Sequence, residues 1–180
     1  MKAVRILSQA YSLTENEDLK INARSAVEYV IEKQNTNGSW GYSDKKTERV
    51  DSYHTGYVLD CLDDYMKLTN DIEFKSNLDK GISYYHNNLV ENERIPKFYN
   101  NNRYPIDCTS AAQLILSLRR FGHAGIARNI AEYMINEMQD KKGYFYFRKF
   151  KTYKIKTSFM RWSNAWMFLA LSSLLKNSGN

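Results

Sequence analysis

At 180 residues, with 43% hydrophobic and 14% aromatic content, the chain can bury a sizeable core, which excludes a disordered polymer. Its 26 Lys and Arg against 20 Asp and Glu give a formal charge of +6. That excess admits an anionic partner (a polysaccharide, a phosphate-bearing sugar donor, a membrane surface or nucleic acid) without choosing among them.

Residues 3–13 place Val4, Leu7 and Tyr11 at helical spacing, with no cap in front of them. A polar turn at 16–18 leads to a second helix over 19–34, which Gly38 and Gly41 terminate while Trp40 folds back. Residues 45–49 read as a solvated loop. The third helix, 51–68, has Ser52 as its N-cap and Asp51 at the positive end of its dipole. There His54, Tyr57 and Cys61 share a stripe that Val58, Leu62 and Tyr65 widen. Residues 74–89 form a fourth helix, and 91–104 a loop whose surrounding prolines, Pro96 and Pro105, exclude helix interior. Helices over 107–121 and 124–138 follow, separated by a turn at Gly122. Residues 143–155 alternate without helical period and are rich in aromatics, which predicts a β-hairpin or an extended aromatic loop. A seventh helix covers 163–176.

With only 2 Pro and 8 Gly, long helices are expected throughout. Cys61 and Cys108 sit within helical patterns, which favours a reducing compartment. The N-terminal residues lack the apolar run and small-residue cleavage site of a signal peptide. No stretch approaches the roughly 20 apolar residues that span a bilayer, and the longest candidate, 166–175, carries two serines. These features predict a cytoplasmic protein without a transmembrane segment.

A repeat of about 55 residues runs through the chain. DSYHTGYVLDCL from Asp51 aligns with DCTSAAQLILSL from Asp107, and that segment with RWSNAWMFLALS from Arg161. Tyr29, Gln34, Gly38 and Trp40 correspond to Tyr133, Gln139, Gly143 and Phe145. Each unit, over about 19–68, 74–121 and 124–176, is helix, short connection, helix and aromatic loop. One helix of each pair suits a lined centre and the other an outer ring.

YVIEKQNTNGSW resembles the QW repeat of α/α toroids of the terpenoid cyclase and protein prenyltransferase class. DSYHTGYVLDCLDDY, PKFYNNNRYPID, MQDKKGYFYF and FMRWSNAWMFLALS together resemble a bacterial and archaeal α/α-toroid family. That family is associated with polysaccharide and lipopolysaccharide biosynthesis and is often labelled delta-aminolevulinic acid dehydratase. The resemblance implies an all-α fold, a partial α/α toroid of helical hairpins in a single domain over 1–180, matching the C-terminal half of the family. A half ring exposes the apolar sides of its end helices, 3–13 and 163–176. The expected partner is therefore a second copy or a complementary half-toroid chain.

In such a fold the inner-helix N-termini surround the mouth of the cavity. They would gather Asp51, Tyr53, His54 and Tyr57; Tyr104, Asp107 and Ser110; and Arg161, Trp162, Asn164 and Trp166. Aromatics stack on pyranose faces, Asp and Asn read hydroxyls, and Arg161 would hold a carboxylate or phosphate. His54 oriented by Asp51 suits a general base, with Asp107 or Tyr57 as acid. Lys97 would reach an anionic ligand. Polar residues at helix starts also serve as plain caps. The set fits uronate epimerisation, β-elimination or glycosidic hydrolysis, and no cofactor is called for.

The run Asp60-Cys61-Leu62-Asp63-Asp64 superficially resembles a diphosphate-magnesium motif. It lies toward the helix C-terminus, where the dipole disfavours anions, so a solvated face is the expected reading. The cyclase DxDD motif is absent, which places terpenoid cyclisation third. Cys61, Cys108, His54, His86 and His123 show no paired zinc spacing, so no metal site is expected. Residues 141–161 carry eight basic residues and no acid. The flanking helices exclude an RNA-recognition motif and no nucleic acid is expected. The segment reads as a hairpin packing its aromatics inward, or as a basic rim guiding an anionic glycan. The leading expectation is a carbohydrate-active or carbohydrate-binding protein for an anionic glycan or sugar precursor. The alternative is a non-catalytic scaffold that pairs to complete a toroid.

Overall fold

A computed structural model describes residues 1–42 and 49–175; positions 45–48 of the loop expected at 45–49 and the end of the last helix at 176 lie outside the described residues. Two compact units emerge. Met1–Val50 with His54–Tyr84 form the first, and Asp51–Tyr53 with the residues from Tyr85 onward form the second.

In the first unit α1 (Lys2–Thr14) and α2 (Glu17–Glu32) make a hairpin. Glu15 ends α1 in the left-handed conformation, its N–H donating to the Tyr11 carbonyl. Asn16 opens α2 by accepting from the Asp18 N–H, so the helix begins inside the expected turn, with Glu17 and Asp18 favouring its positive end. Val4, Ala23 and Val27 are fully buried, as are Leu59 and Tyr65 of α3 (Ser52–Thr69). Tyr65 donates to Asp71 at 2.6 Å and Arg24 Nη1 donates to the same carboxylate at 2.7 Å. Burial works against the Asp71 charge, but bonds from Tyr65, the Glu73 backbone and Arg24 outweigh it and hold the carboxyl below its usual range.

Two expectations for α3 need correction. Ser52 is the first helical residue and not a cap; its hydroxyl is fully buried with no hydrogen-bond partner among the described residues. The acidic run is not a solvated face either. Asp60 and Asp63 are 9% and 7% exposed, Asp63 pairs with Lys67 at 2.8 Å, and Asp64 with Arg5 at 2.7 Å. The local cations compensate burial that composition alone disfavours.

The connection after α2 is a built loop. Gln34 Nε2 donates to the Gly38 and Asn77 carbonyls at 3.0 and 2.9 Å, and Asn77 donates back to Gln34 at 2.8 Å. Trp40 is buried and donates from Nε1 to the Val30 carbonyl at 2.9 Å. Gly38 has φ +92°, and a Cβ there would stand 2.4 Å from the Lys80 carbonyl oxygen of α4 (Lys75–Leu89). The second unit repeats the device: Gln139 Nε2 donates to the Gly143 carbonyl at 3.0 Å, Gly143 has φ +92°, and Phe145 is buried where Trp40 stands.

The second unit is organised on α5 (Cys108–Arg120), whose Leu114, Ile115 and Leu118 are fully buried and which packs against α6 (Ala124–Met138) and α7 (Ala165–Leu175). The 91–104 stretch is not all loop: β1 (Val90–Glu91) pairs antiparallel with β2 (Ile95–Pro96). The hairpin expected over 143–155 is present as β4 (Arg148–Lys149) and β5 (Lys154–Ile155), with Phe145 and Tyr146 turned inward. A strand absent from the sequence reading, β3 (Ile106–Asp107), joins it and sets Asp107 opposite Arg148. The last helix also starts earlier than expected. A π-helical turn, Met160–Asn164, precedes α7, with Phe159 as its N-cap.

Ile6 and Leu13 of α1 and Phe168, Leu169 and Leu175 of α7 are between 53% and 84% exposed, so both end helices present apolar side chains to solvent. No helix among the described residues is long and apolar enough to cross a membrane.

Candidate functional site

A group of acidic, cationic and aromatic side chains in the second unit grows from the β3–β4 register. Because β3 runs directly into α5, Asp107 is both a strand residue and the helix N-cap, and it is 5% exposed. Its Oδ1 accepts from the Ser110 N–H at 3.0 Å, and its Oδ2 accepts from Arg148 Nε at 2.5 Å. One carboxylate therefore ends α5 and fixes a guanidinium. The Arg148 Cζ lies over the Phe147 ring at 4.7 Å and over the Phe98 ring at 5.2 Å.

Phe98 reaches this point because its carbonyl accepts from the Ser52 N–H at 2.9 Å while Asp51 bridges antiparallel to Tyr99. Asp51 is thereby buried beside the group. On the other flank, Phe147 meets Phe159 edge-on at 5.0 Å, and Phe159 lies 5.5 Å from Trp162. The Thr109 hydroxyl donates to the Trp162 carbonyl, so the start of α5 steadies the π-helical turn. Trp162 remains 57% exposed: an indole held by its backbone and open at its ring. Tyr53 packs edge-on to Trp166 at 5.7 Å. An acid, a fixed guanidinium and an open indole thus lie in one contact chain, a set suited to stacking on a sugar while holding an anionic substituent.

Several residues singled out from sequence have other occupations. Lys97 donates to the Asn100 carbonyl within its own loop. Asn164 accepts from the Phe145 N–H and donates to Ser158, both at 2.8 Å, which ties the aromatic loop to the π turn. Tyr104 is half-buried, and the peptide bond to Pro105 is cis. Arg161 is exposed inside the π turn, two residues past the N-cap Phe159, and not at the cap position that alignment with Asp107 gives it. In the first unit His54 is exposed and edge-on to Tyr42 at 5.2 Å, and Tyr57 carries Arg5 over its ring at 5.0 Å.

Burial, reinforced by the adjacent Asp107 charge, pushes the Cys108 thiol far up, and burial likewise raises Cys61, so neither is poised as a nucleophile. Among the described residues no three His, Cys, Asp or Glu side chains are grouped to hold a metal ion. A cleft of about 350 Å³ opens elsewhere in the second unit, lined by Phe145, Asn164, Phe168, Leu171 and neighbours. It is mostly apolar, with Gln139, Asn164 and Ser172 as its polar side chains and no ionisable one.

Arg148, Phe147 and Phe159 were not picked out as site residues by sequence reasoning. Their signal was present in the alternating 143–155 stretch, but only the register with β3 selects Arg148 among the basic residues there. Lys149 and Lys154 are paired with Glu137 at 2.5 and 3.7 Å, which occupies two of the other cations.

No family model matches the chain and no curated protein matches its sequence. Solved structures do. One is an unsaturated glucuronyl hydrolase specific for heparin, with TM-score 0.72 and 12% identity over 98% of this chain and 50% of that one. Another is the cellobiose 2-epimerase from Bacillus thermoamylovorans B4167, with TM-score 0.71 and 13% identity over 96% of this chain and 51% of that one. At such identities the likeness establishes the fold: a mostly helical, partial α/α toroid of helical hairpins with a small sheet. The chain spans about half the length of each of these structures.

Proposed function

We propose that this protein binds or acts on a carbohydrate, an anionic glycan or a sugar precursor of polysaccharide biosynthesis, in the cytoplasm. The observation that carries the reading is the contact chain from Asp107 and Arg148 through Phe147 and Phe159 to the open ring of Trp162. The fold supports it, since two proteins of similar fold are named for acting on sugars, one an unsaturated glucuronyl hydrolase specific for heparin and one a cellobiose 2-epimerase. In the enzymatic form of the proposal His54 is the general base, with turnover in epimerisation, elimination or hydrolysis. Asp107, with both oxygens engaged, is better suited to positioning than to proton transfer.

Isothermal calorimetry against neutral and uronate-containing oligosaccharides tests the proposal, with Trp162→Ala as the control. Binding that weakens at least tenfold in the variant supports it. No heat with any glycan would refute it. If binding is present, His54→Ala should abolish turnover and leave affinity unchanged.

A second reading has its own observation. The exposed apolar side chains on α1 and α7 suit pairing with another copy or with a complementary half-toroid chain. Light scattering at micromolar concentration, compared with Ile6→Lys and Phe168→Lys variants, decides it. A strict monomer in the parent protein removes this reading.

A further inference from the structure

A guanidinium has five N–H donors in one plane. In Arg148 the Nε–H is spent on Asp107, while the two terminal amino groups have no hydrogen-bond partner among the described residues. The rings of Phe147 and Phe98 lie against the group, whose side chain is 32% exposed, and the in-plane edge carries its remaining donors. That edge matches two oxygens of a planar oxyanion.

The pair with Asp107 does not extinguish the cation's pull. The Asp107 charge is itself drawn on by the Ser110 N–H and the N-terminus of α5. The surrounding segment, 141–161, contains no acidic residue. The buried Asp51 is a second acid close to this group, so the pull on an incoming anion rests on the two terminal amino donors and not on net charge. Trp162, 6.4 Å from the Phe147 ring that carries Arg148 and 57% exposed, supplies an apolar platform one ring removed.

Resting on the carbohydrate reading above, we propose that Arg148, and not Arg161, is the specificity residue for a uronic acid. Its two terminal amino groups receive the carboxylate while the pyranose ring lies on Trp162. Asp107, Phe98 and Phe147 position the guanidinium and do not themselves touch the sugar's acid group. A sugar phosphate would present related oxyanion chemistry, but a coplanar pair of donors favours the flat carboxylate.

The test is calorimetric titration of the full chain with a uronate tetrasaccharide, its carboxyl-reduced neutral counterpart and a hexose phosphate. The parent protein is compared with Arg148→Lys, Phe98→Leu and Arg161→Ala, each first shown to be folded by circular dichroism. The expected result is at least tenfold tighter binding of the uronate than of the reduced sugar. That preference should vanish in Arg148→Lys, shrink in Phe98→Leu, where the Asp107 pair is intact, and persist in Arg161→Ala. Equal uronate affinity in the parent and Arg148→Lys overturns the Arg148 assignment while leaving the carbohydrate reading standing. A preference for the hexose phosphate lost in Arg148→Lys overturns the uronate. Failure to bind any of the three sugars overturns both the assignment and the reading beneath it.

Discussion

Replacing Asp107 separates a structural carboxylate from a catalytic one. Asp107→Ala removes the N-cap of α5, which costs about 1 kcal/mol in typical helices. It also removes the partner of Arg148, a charge-assisted bond contributing about 1.5–3 kcal/mol where buried. The Arg148 side chain is 32% exposed and regains water when the carboxylate goes, so the lower end applies. The sum is a loss of about 2–3 kcal/mol, or roughly 5–10 °C in melting temperature for a chain of this size. Asp107→Asn keeps an oxygen that caps as well as aspartate does and loses only the charge, a loss of about 1 kcal/mol. Urea unfolding followed by far-ultraviolet circular dichroism reads both values. If Asp107→Ala unfolds at the parent midpoint, the carboxylate does not hold α5 and Arg148 as described. If Asp107→Asn is as damaging as Asp107→Ala, charge and not capping dominates, and the division between the two roles fails.

Gly38 and Gly143 share φ +92° in equivalent loops, but a Cβ at Gly38 would meet the Lys80 backbone, whereas among the described residues nothing lies within 4 Å of a Cβ at Gly143. Gly143→Ala should cost about 1–2 kcal/mol from backbone conformation alone, and Gly38→Ala about 3 kcal/mol or more, compared by urea unfolding. Ser52→Ala should be neutral or slightly stabilising, because it removes a buried hydroxyl without a partner; a loss of 1 kcal/mol or more, measured the same way, would restore Ser52 as a cap. The His86 and His123 rings stack at 5.0 Å; burial, then the His86 charge, holds His123 below the ordinary imidazole value of about 6.5. The unfolded chain then binds that proton first, so this contribution is complete above pH 6.5 and declines as pH falls through the depressed value. His123→Gln should flatten the fall in stability below pH 6.5 in chemical denaturation.

Helices were legible because period and punctuation agree in the sequence: the α5 and α6 regions match expectation to within a residue at nearly every end. The aromatic loops were legible through the Gln–Gly–aromatic pattern, whose hydrogen bond recurs at 3.0 Å in both copies. Strands of two residues carry no period, so β3 left no trace, and with it went the register that selects Arg148. The exact place of Arg161 within its first turn was not legible for a related reason. Alignment assumes equal helix starts, and the π turn shifts the last start toward Phe159. Trp162 and Asp107 stand out in the sequence because aromatics and helix-starting acids are conspicuous residue types, whereas which bonds occupy them is decided by partners distant in sequence.

The placement of the three tryptophans gives each unit its own optical reporter. Trp40, buried and bonded to a carbonyl, should emit toward the blue and resist quenchers. Trp162, open to solvent beside basic side chains, should emit toward the red and be quenched by iodide more readily than by neutral acrylamide. A sugar seated on that indole would shield it selectively, and Trp40 would serve as the internal standard in the same cuvette.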